Sequence, residues 1–221
     1  MTIKPVVYII ESPSVENYET EVCEGKALSA SLDLMRIDNH YFPVYGKNGF
    51  ARVLQAIKPL ERIDNYLFMP VLHVSAHGNE NEFALMNDER ITWNELRDLL
   101  IPINTKCDNA LVLSMSVCKG ASACKSAMSL REELPYLFLI GPIEDIEWGC
   151  ALLAFLTFYQ NFSVLTNDND IFLGETLVNM INSAIGTENL FRIQTAQDIQ
   201  EKYTRVMLPI VEKHFSTIKS K

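Results

Sequence analysis

The sequence predicts an α/β protein, a three-layer α/β/α sandwich around a mostly parallel sheet. Two observations predict it. Short apolar runs rich in Val, Ile and Leu alternate with amphipathic stretches at helical spacing. Breakers such as Ser12-Pro13-Ser14 and Gly141-Pro142 close runs of the first kind. Strands that alternate with helices pair in parallel and are covered on both faces.

The elements follow in order. Pro5–Glu11 (PVVYIIE) reads as a buried strand, and Glu21–Met35 has apolar positions at helical spacing. Tyr41–Val44 is a second short strand and Gly49–Ile57 a second helix. Met69–Ala76 is a third strand, closed by His77-Gly78. Phe83–Met86 and Arg90–Thr92 read as a hairpin with Asp88, Glu89 and Arg90 at its tip. Thr92–Leu100 is a helix, with Thr92 as N-cap and Glu95 at the capping-box spacing. Ala110–Val117 is the fourth strand, followed by Cys118-Lys119-Gly120 and a helix through about Arg131. Tyr136–Ile140 is the fifth strand and Trp148–Gln160 a further helix. From Ile171 onward the pattern is largely helical and amphipathic.

Composition narrows the function classes. The 221 residues are 48% hydrophobic and 21% charged, enough apolar material for one sizeable core, and a single domain over 1–221 is expected. A formal charge of −9, with no basic stripe, speaks against direct binding to nucleic acid or an anionic membrane. The apolar run Val6–Ile10 is too short for a signal peptide, and Cys150–Phe158 is about half of the ~20 residues that span a bilayer. A cytoplasmic protein is expected. Five cysteines with no CxxC pair point to free thiols.

Right-handed crossovers place every strand's carboxyl end on one edge of the sheet, where ligands of open α/β sheets bind. His77 and Cys118 both fall there. Before a helix, near the positive end of its dipole, the Cys118 thiol is placed to ionise, with Lys119 adding positive charge beside it. The backbone N–H groups of Cys118 and Gly78 are candidate oxyanion donors. Taken alone, a Cys at a strand end is more often a small buried apolar residue, and a His-Gly more often a turn. What distinguishes this pair is its position on consecutive apolar strands.

The segments Leu72–Gly78 (LHVSAHG), Ile91–Leu100 (ITWNELRDLL) and Leu111–Gly120 (LVLSMSVCKG) resemble the caspase-like cysteine peptidases, and within them the CHAT branch. The resemblance covers roughly residues 5–160. It implies a caspase-like sandwich in which His77 is the general base, Cys118 the nucleophile, and the amides of Gly78 and Cys118 the oxyanion hole. Where caspases carry Gln two residues before the cysteine and metacaspase-like members carry Asp, this chain has Ser116, as CHAT proteins do. The cleaved residue therefore does not follow from either group. Val117 stands in place of the usual alanine, and Lys119-Gly120 lack an intervening Ser or Thr. Arg131–Pro135 is too short for a cleavable processing linker, so control by a protein partner or ligand is expected, as in CHAT-type domains of bacterial antiviral defence systems.

Ser116 is a candidate pocket residue, and after the fifth strand Glu144, Asp145 and Glu147 are candidates to line a pocket for a basic P1 residue. The alternative is that they are a solvated start to the next helix, complementing its dipole. Trp148 shapes the same pocket or is a buried helix aromatic. His73, on the same strand face as His77, reads as a hydrogen-bonded core residue, since its spacing from Cys118 and Cys124 matches no zinc pattern. No metal or cofactor is expected. The function implied is endopeptidase action on a protein substrate. Two alternatives stand beside it: a catalytically silent caspase-like interaction module, and a flavodoxin-like or receiver-type domain with Glu11 as acidic acceptor.

Overall fold

The computed structural model describes residues 2–162 and 174–219; parts of the expected 1–221 span, including 171–173 and 220–221 of the C-terminal portion, lie outside the described residues. The chain runs β1 (Thr2–Ser12), α1 (Val15–Glu19), α2 (Glu24–Leu34), β2 (Asn39–Pro43), α3 (Lys47–Ala56), β3 (Glu61–Ile63), β4 (Tyr66–Ala76), β5 (Glu82–Ala84), β6 (Arg90–Thr92), α4 (Trp93–Lys106) and β7 (Val112–Ser116). A 3-10 helix (Gly120–Ala127) follows, then β8 (Phe138–Pro142), α5 (Trp148–Gln160), α6 (Gly174–Ala184), β9 (Phe191–Thr195) and α7 (Ala196–Lys219).

The main sheet has the order β2-β1-β4-β7-β8-β9. Its first five strands pair in parallel, while β9 is antiparallel to β8 and the short β3 is antiparallel to β4. This is the mostly parallel α/β arrangement expected. Both faces of the sheet are covered. Tyr8, Ile10, Leu72, Val74, Leu113 and Met115 pack under α3, α4, the 3-10 helix and the start of α7. Val7, Ile9, Val71 and Val112 pack under α2, α5 and α6. Each fully buried Leu, Ile or Phe in these layers contributes about 1.5–3 kcal/mol, so the sheet is stabilised from two sides.

Three expectations are corrected. The helix expected over 21–35 is α2, shorter at its start, and an unexpected short helix, α1, precedes it outside that span. Ser14 accepts from the Asn17 N–H and starts α1, Glu21 turns the chain with φ of 56°, and α2 begins only at Glu24. The segment after Cys118 is a 3-10 helix rather than an α-helix to Arg131. Its small residues let it lie against the sheet: a Cβ on Gly120 would sit 2.5 Å from the Met115 carbonyl oxygen. The C-terminal portion holds β9 between its helices, and this strand forms the sheet's antiparallel edge. By contrast, the hairpin β5–β6 and the capping box are present. The Thr92 hydroxyl accepts from the Glu95 N–H, and the Glu95 carboxylate accepts from the Thr92 N–H.

Candidate active site

Register builds the site. On β4 and β7, His73 stands opposite Ser114 and Ser75 opposite Ser116. Side chains two residues apart share a face of a sheet. The next pair in that series is His77 and Cys118, just past the ends of the two strands. On the far side of β4, β1 is level with it, Ser12 opposite Ala76. The chain leaves β1 toward β2 on one side, while β4, β7 and β8 lie on the other, so the crevice above β1 and β4 is the topological switch point of the sheet.

The His77-Gly78 turn is held tightly. The His77 carbonyl accepts from the Ala84 N–H at 2.8 Å, the Asn79 N–H donates to the Glu82 carbonyl at 2.9 Å, and Gly78 bridges Phe83. A Cβ on Gly78 would fall 2.3 Å from Val117 Cγ1 and 2.9 Å from the Glu82 oxygen. Glycine is therefore required by close approach to the residue preceding Cys118. Among the described residues, neither the Gly78 N–H nor the Cys118 N–H donates to a protein acceptor. Two amides at this edge keep their hydrogen-bonding capacity.

His77 is exposed and Cys118 half-buried. His77 Nε2 lies 3.4 Å from Asn17 Nδ2, and its ring meets the Trp148 ring at 72° with centroids 5.2 Å apart. The Cys118 thiol donates to the Ile146 carbonyl at 3.8 Å. The two side chains share the edge without bonding to each other. The loop from β8 to α5 is tied to the Cys118 segment twice, by this thiol contact and by the Lys119 N–H donating to the Glu144 carbonyl at 3.0 Å.

Lys119 takes the left-handed conformation, φ 56°. Its ammonium is 3.4 Å from Glu80 Oε2 and is raised by Glu80 first, with Asp145 and Glu144 adding to it. Glu80 in turn is held below the ordinary carboxylate range, first by its own backbone N–H and then by Lys119. The positive charge expected beside the thiol is thus turned toward carboxylates.

Glu144, Asp145 and Glu147 are exposed, and Glu147 occupies the N-cap position of α5 without a side-chain capping bond. Ser116 is 1% exposed and its hydroxyl has no hydrogen-bond partner among the described residues. It lies beneath the edge rather than on its surface. A buried polar cluster continues downward from it. The hydroxyls of Ser75 and Ser114 and both carboxylate oxygens of Glu24 also have no such partner. His73 belongs to this cluster: Nδ1 is 3.0 Å from the Tyr159 hydroxyl, and Nε2 is 3.5 Å from Glu24 Oε2, ion-pair distance but not aligned as a hydrogen bond. Its ring packs edge-on to Phe155 at 4.7 Å. His73 is a core residue, and among the described residues no cluster of three His, Cys, Asp or Glu side chains is arranged for a metal ion.

Glu11 does not serve as a receiver-type acceptor. It is 1% exposed and accepts from the Gly25 N–H at 2.7 Å, the Lys26 N–H at 3.0 Å and the Tyr41 hydroxyl at 2.7 Å, which caps α2. The other thiols differ from Cys118 in setting. Burial pushes Cys107 up to about 11 and raises Cys23 and Cys124, while Cys150 is exposed. No described helix is long and apolar enough to cross a membrane. A cavity of about 590 Å³ lined by Tyr8, Asp33 and His40 and one of about 710 Å³ lined by Cys124, Arg192 and Tyr203 share no residue with the His77–Cys118 edge.

Sequence reasoning missed Asn17 and the Ile146 carbonyl as neighbours of the two candidate catalytic residues. The signal available for Asn17 was the Ser14-x-x-Asn17 spacing, which marks a helix start just above the end of β1.

No protein-family model matches the sequence, and no curated protein matches it. Among solved structures, that of the Drosophila initiator caspase Dronc is similar, with a TM-score of 0.49 and 12% identity over 86% of this chain and 79% of that chain.

Proposed function

We propose that this chain is a caspase-like cysteine endopeptidase of the CHAT type. The observation that carries the reading is the register of β4 and β7, in which His77 and Cys118 follow Ser75 and Ser116 on adjacent parallel strands. In this reading His77 takes the Cys118 proton and the thiolate attacks the scissile carbonyl carbon. The oxyanion then accepts from the Gly78 and Cys118 N–H groups, which have no other protein acceptor among the described residues. His77 returns the proton to the departing amine, and a water activated by His77 hydrolyses the thioester, restoring the thiol.

Exposed Glu144, Asp145 and Glu147 on the loop beside Cys118 favour a basic P1 residue. The resting contact of Cys118 with Ile146 gives way when substrate orders the edge, which suits an enzyme controlled by a protein partner or ligand. A cytoplasmic role in bacterial antiviral defence or regulated proteolysis is the setting we infer, and the motif resemblance supports it.

The resting contacts, His77 to Asn17 and Cys118 to Ile146, favour the second reading, a silent interaction module, because each side chain spends its hydrogen bond away from the other. A peptide library incubated with wild type and Cys118→Ala, with the products of neighbouring genes added, separates the two. The endopeptidase reading expects cleavage after Lys or Arg that Cys118→Ala abolishes. Cleavage that survives in Cys118→Ala removes Cys118 from the mechanism.

A further inference from the structure

His77 is clamped from two directions. Trp148 meets one flank of the ring, and Asn17 stands 3.4 Å from Nε2. Asn17 is itself held by its backbone. Its N–H donates to the Ser14 hydroxyl at 3.1 Å, and its carbonyl accepts from the Val22 N–H at 2.9 Å, the Thr20 hydroxyl at 3.4 Å and the Cys23 thiol at 3.8 Å. A side chain on so fixed a backbone has few ways to move off the imidazole.

The chemistry gives that contact a direction. Neutral imidazole has one N–H and one acceptor nitrogen, whereas the protonated ring has two N–H groups and no acceptor. With the amide nitrogen toward Nε2, as here, the contact is a hydrogen bond only for the ring tautomer in which Nε2 is the acceptor and Nδ1 carries the hydrogen. A ring that carries hydrogen on Nε2, whether neutral or protonated, repels an amide nitrogen facing that atom. A half-turn of the carboxamide then presents Oδ1, which accepts from Nε2–H. With Nε2–H so bound, Nδ1 is left as the nitrogen that exchanges the proton with the thiol.

We propose that Asn17 is the positioning residue of the site, orienting His77 and accepting from its Nε2–H in the imidazolium–thiolate state, so that Cys118, His77 and Asn17 act as one unit. This rests on the peptidase reading above. The proton balance is closed once the carboxamide has turned: exposed His77 exchanges its single ring proton with solvent from Nδ1 to Nε2, the thiol proton then moves to the freed Nδ1, Nε2 keeps its own, and Asn17 gains and loses none. The charged groups carried by the surrounding elements are Glu16 and Glu19 on α1, Glu80 after the His77 turn, Glu144, Asp145 and Glu147 before α5, and Lys119, which is paired with Glu80. Among the described residues, none of these groups lies within hydrogen-bond reach of Nε2, where Asn17 stands.

The test is the alkylation rate of Cys118 by iodoacetamide against pH, resolved from other thiols by peptide mass spectrometry, with exposed Cys150 as internal reference. Wild type, Asn17→Ala and Asn17→Asp are compared with the products of neighbouring genes added, and a thermal melt of each is recorded. Wild-type Cys118 should outpace Cys150 and keep reacting at pH values where Cys150 falls off. Asn17→Ala should slow Cys118 about ten-fold to a hundred-fold relative to Cys150, the range for lost positioning. Asn17→Asp keeps the size and the backbone bonds, and its carboxylate should extend the imidazolium–thiolate range to higher pH.

If wild-type Cys118 reacts no faster than Cys150, the peptidase reading fails and the role of Asn17 fails with it. If wild-type Cys118 is activated and Asn17→Ala stays within two-fold of it, the role of Asn17 is overturned while the peptidase reading stands. Should Asn17→Ala melt early, Asn17→Asp decides: a pH profile identical to wild type overturns the proposal.

Discussion

Ser75 and Ser116 stand opposite each other in parallel register on β4 and β7, both buried at 1% exposure, and neither hydroxyl has a hydrogen-bond partner among the described residues. They form the floor beneath His77 and Cys118. An unpartnered buried hydroxyl contributes nothing to stability and costs its desolvation. Replacing either serine by alanine should therefore leave stability unchanged or raise it by up to about 1 kcal/mol. Denaturant midpoints of Ser75→Ala, Ser116→Ala and the double variant measure this. A loss above about 1.5 kcal/mol would mean that these hydroxyls do have partners, of the kind buried water supplies.

Gly78→Ala should be destabilising. The new methyl meets Val117 Cγ1 at 2.3 Å and the Glu82 carbonyl oxygen at 2.9 Å, so the His77-Gly78 turn must shift. Overpacking of this kind costs about 1–3 kcal/mol, and each kcal/mol lowers Tm by roughly 2–4 °C in a chain this size. Adding Val117→Ala should restore part of the loss, since it removes the side-chain clash and leaves the carbonyl contact. Thermal melts of the single and double variants check both steps. A Gly78→Ala protein as stable as wild type contradicts the packing described.

Glu11 sets a pH dependence. Burial raises its pKa, outweighing the bonds from Tyr41, Gly25 and Lys26 that lower it. A carboxyl raised in the folded state binds its proton more tightly there than in the unfolded chain. Its stabilising contribution is full below the ordinary glutamate range and is lost as pH climbs through the raised native value. Glu11→Gln has no such titration. The Tm of Glu11→Gln minus that of wild type should therefore rise with pH across that window, on top of a constant offset for the altered hydrogen bonds. A difference that stays flat or falls contradicts this assignment.

Lys119→Ala should leave both stability and thiol chemistry nearly untouched. Its ammonium faces Glu80 at 3.4 Å in solvent, a pairing that is screened by salt. The rate of Cys118 alkylation should change less than two-fold. A larger fall would show that the lysine supports the thiolate after all.

Much of this candidate site was legible because its residues sit where strands end. His77-Gly78 and Cys118 close long apolar runs, and strand ends are strong sequence signals. Trp148–Gln160 and the Thr92–Glu95 capping box were also legible, since helical spacing and N-cap chemistry are local. The 3-10 geometry of Gly120–Ala127 was not, because it is imposed by close approach to Met115. β9 was hidden in a helical stretch, as five residues pairing with a distant strand leave little local trace. Asn17 was missed for the same reason: its partner His77 is 60 positions away.

The central claim is that Cys118 is a nucleophile served by His77. A peptidyl acyloxymethyl ketone with Arg or Lys at P1, incubated with wild type and His77→Ala in the presence of the candidate activator, tests it most directly. Mass spectrometry should find the label on Cys118, at least ten-fold ahead of exposed Cys150, and lost in His77→Ala. Labelling of Cys118 no faster than Cys150, or equal in His77→Ala, would contradict the claim.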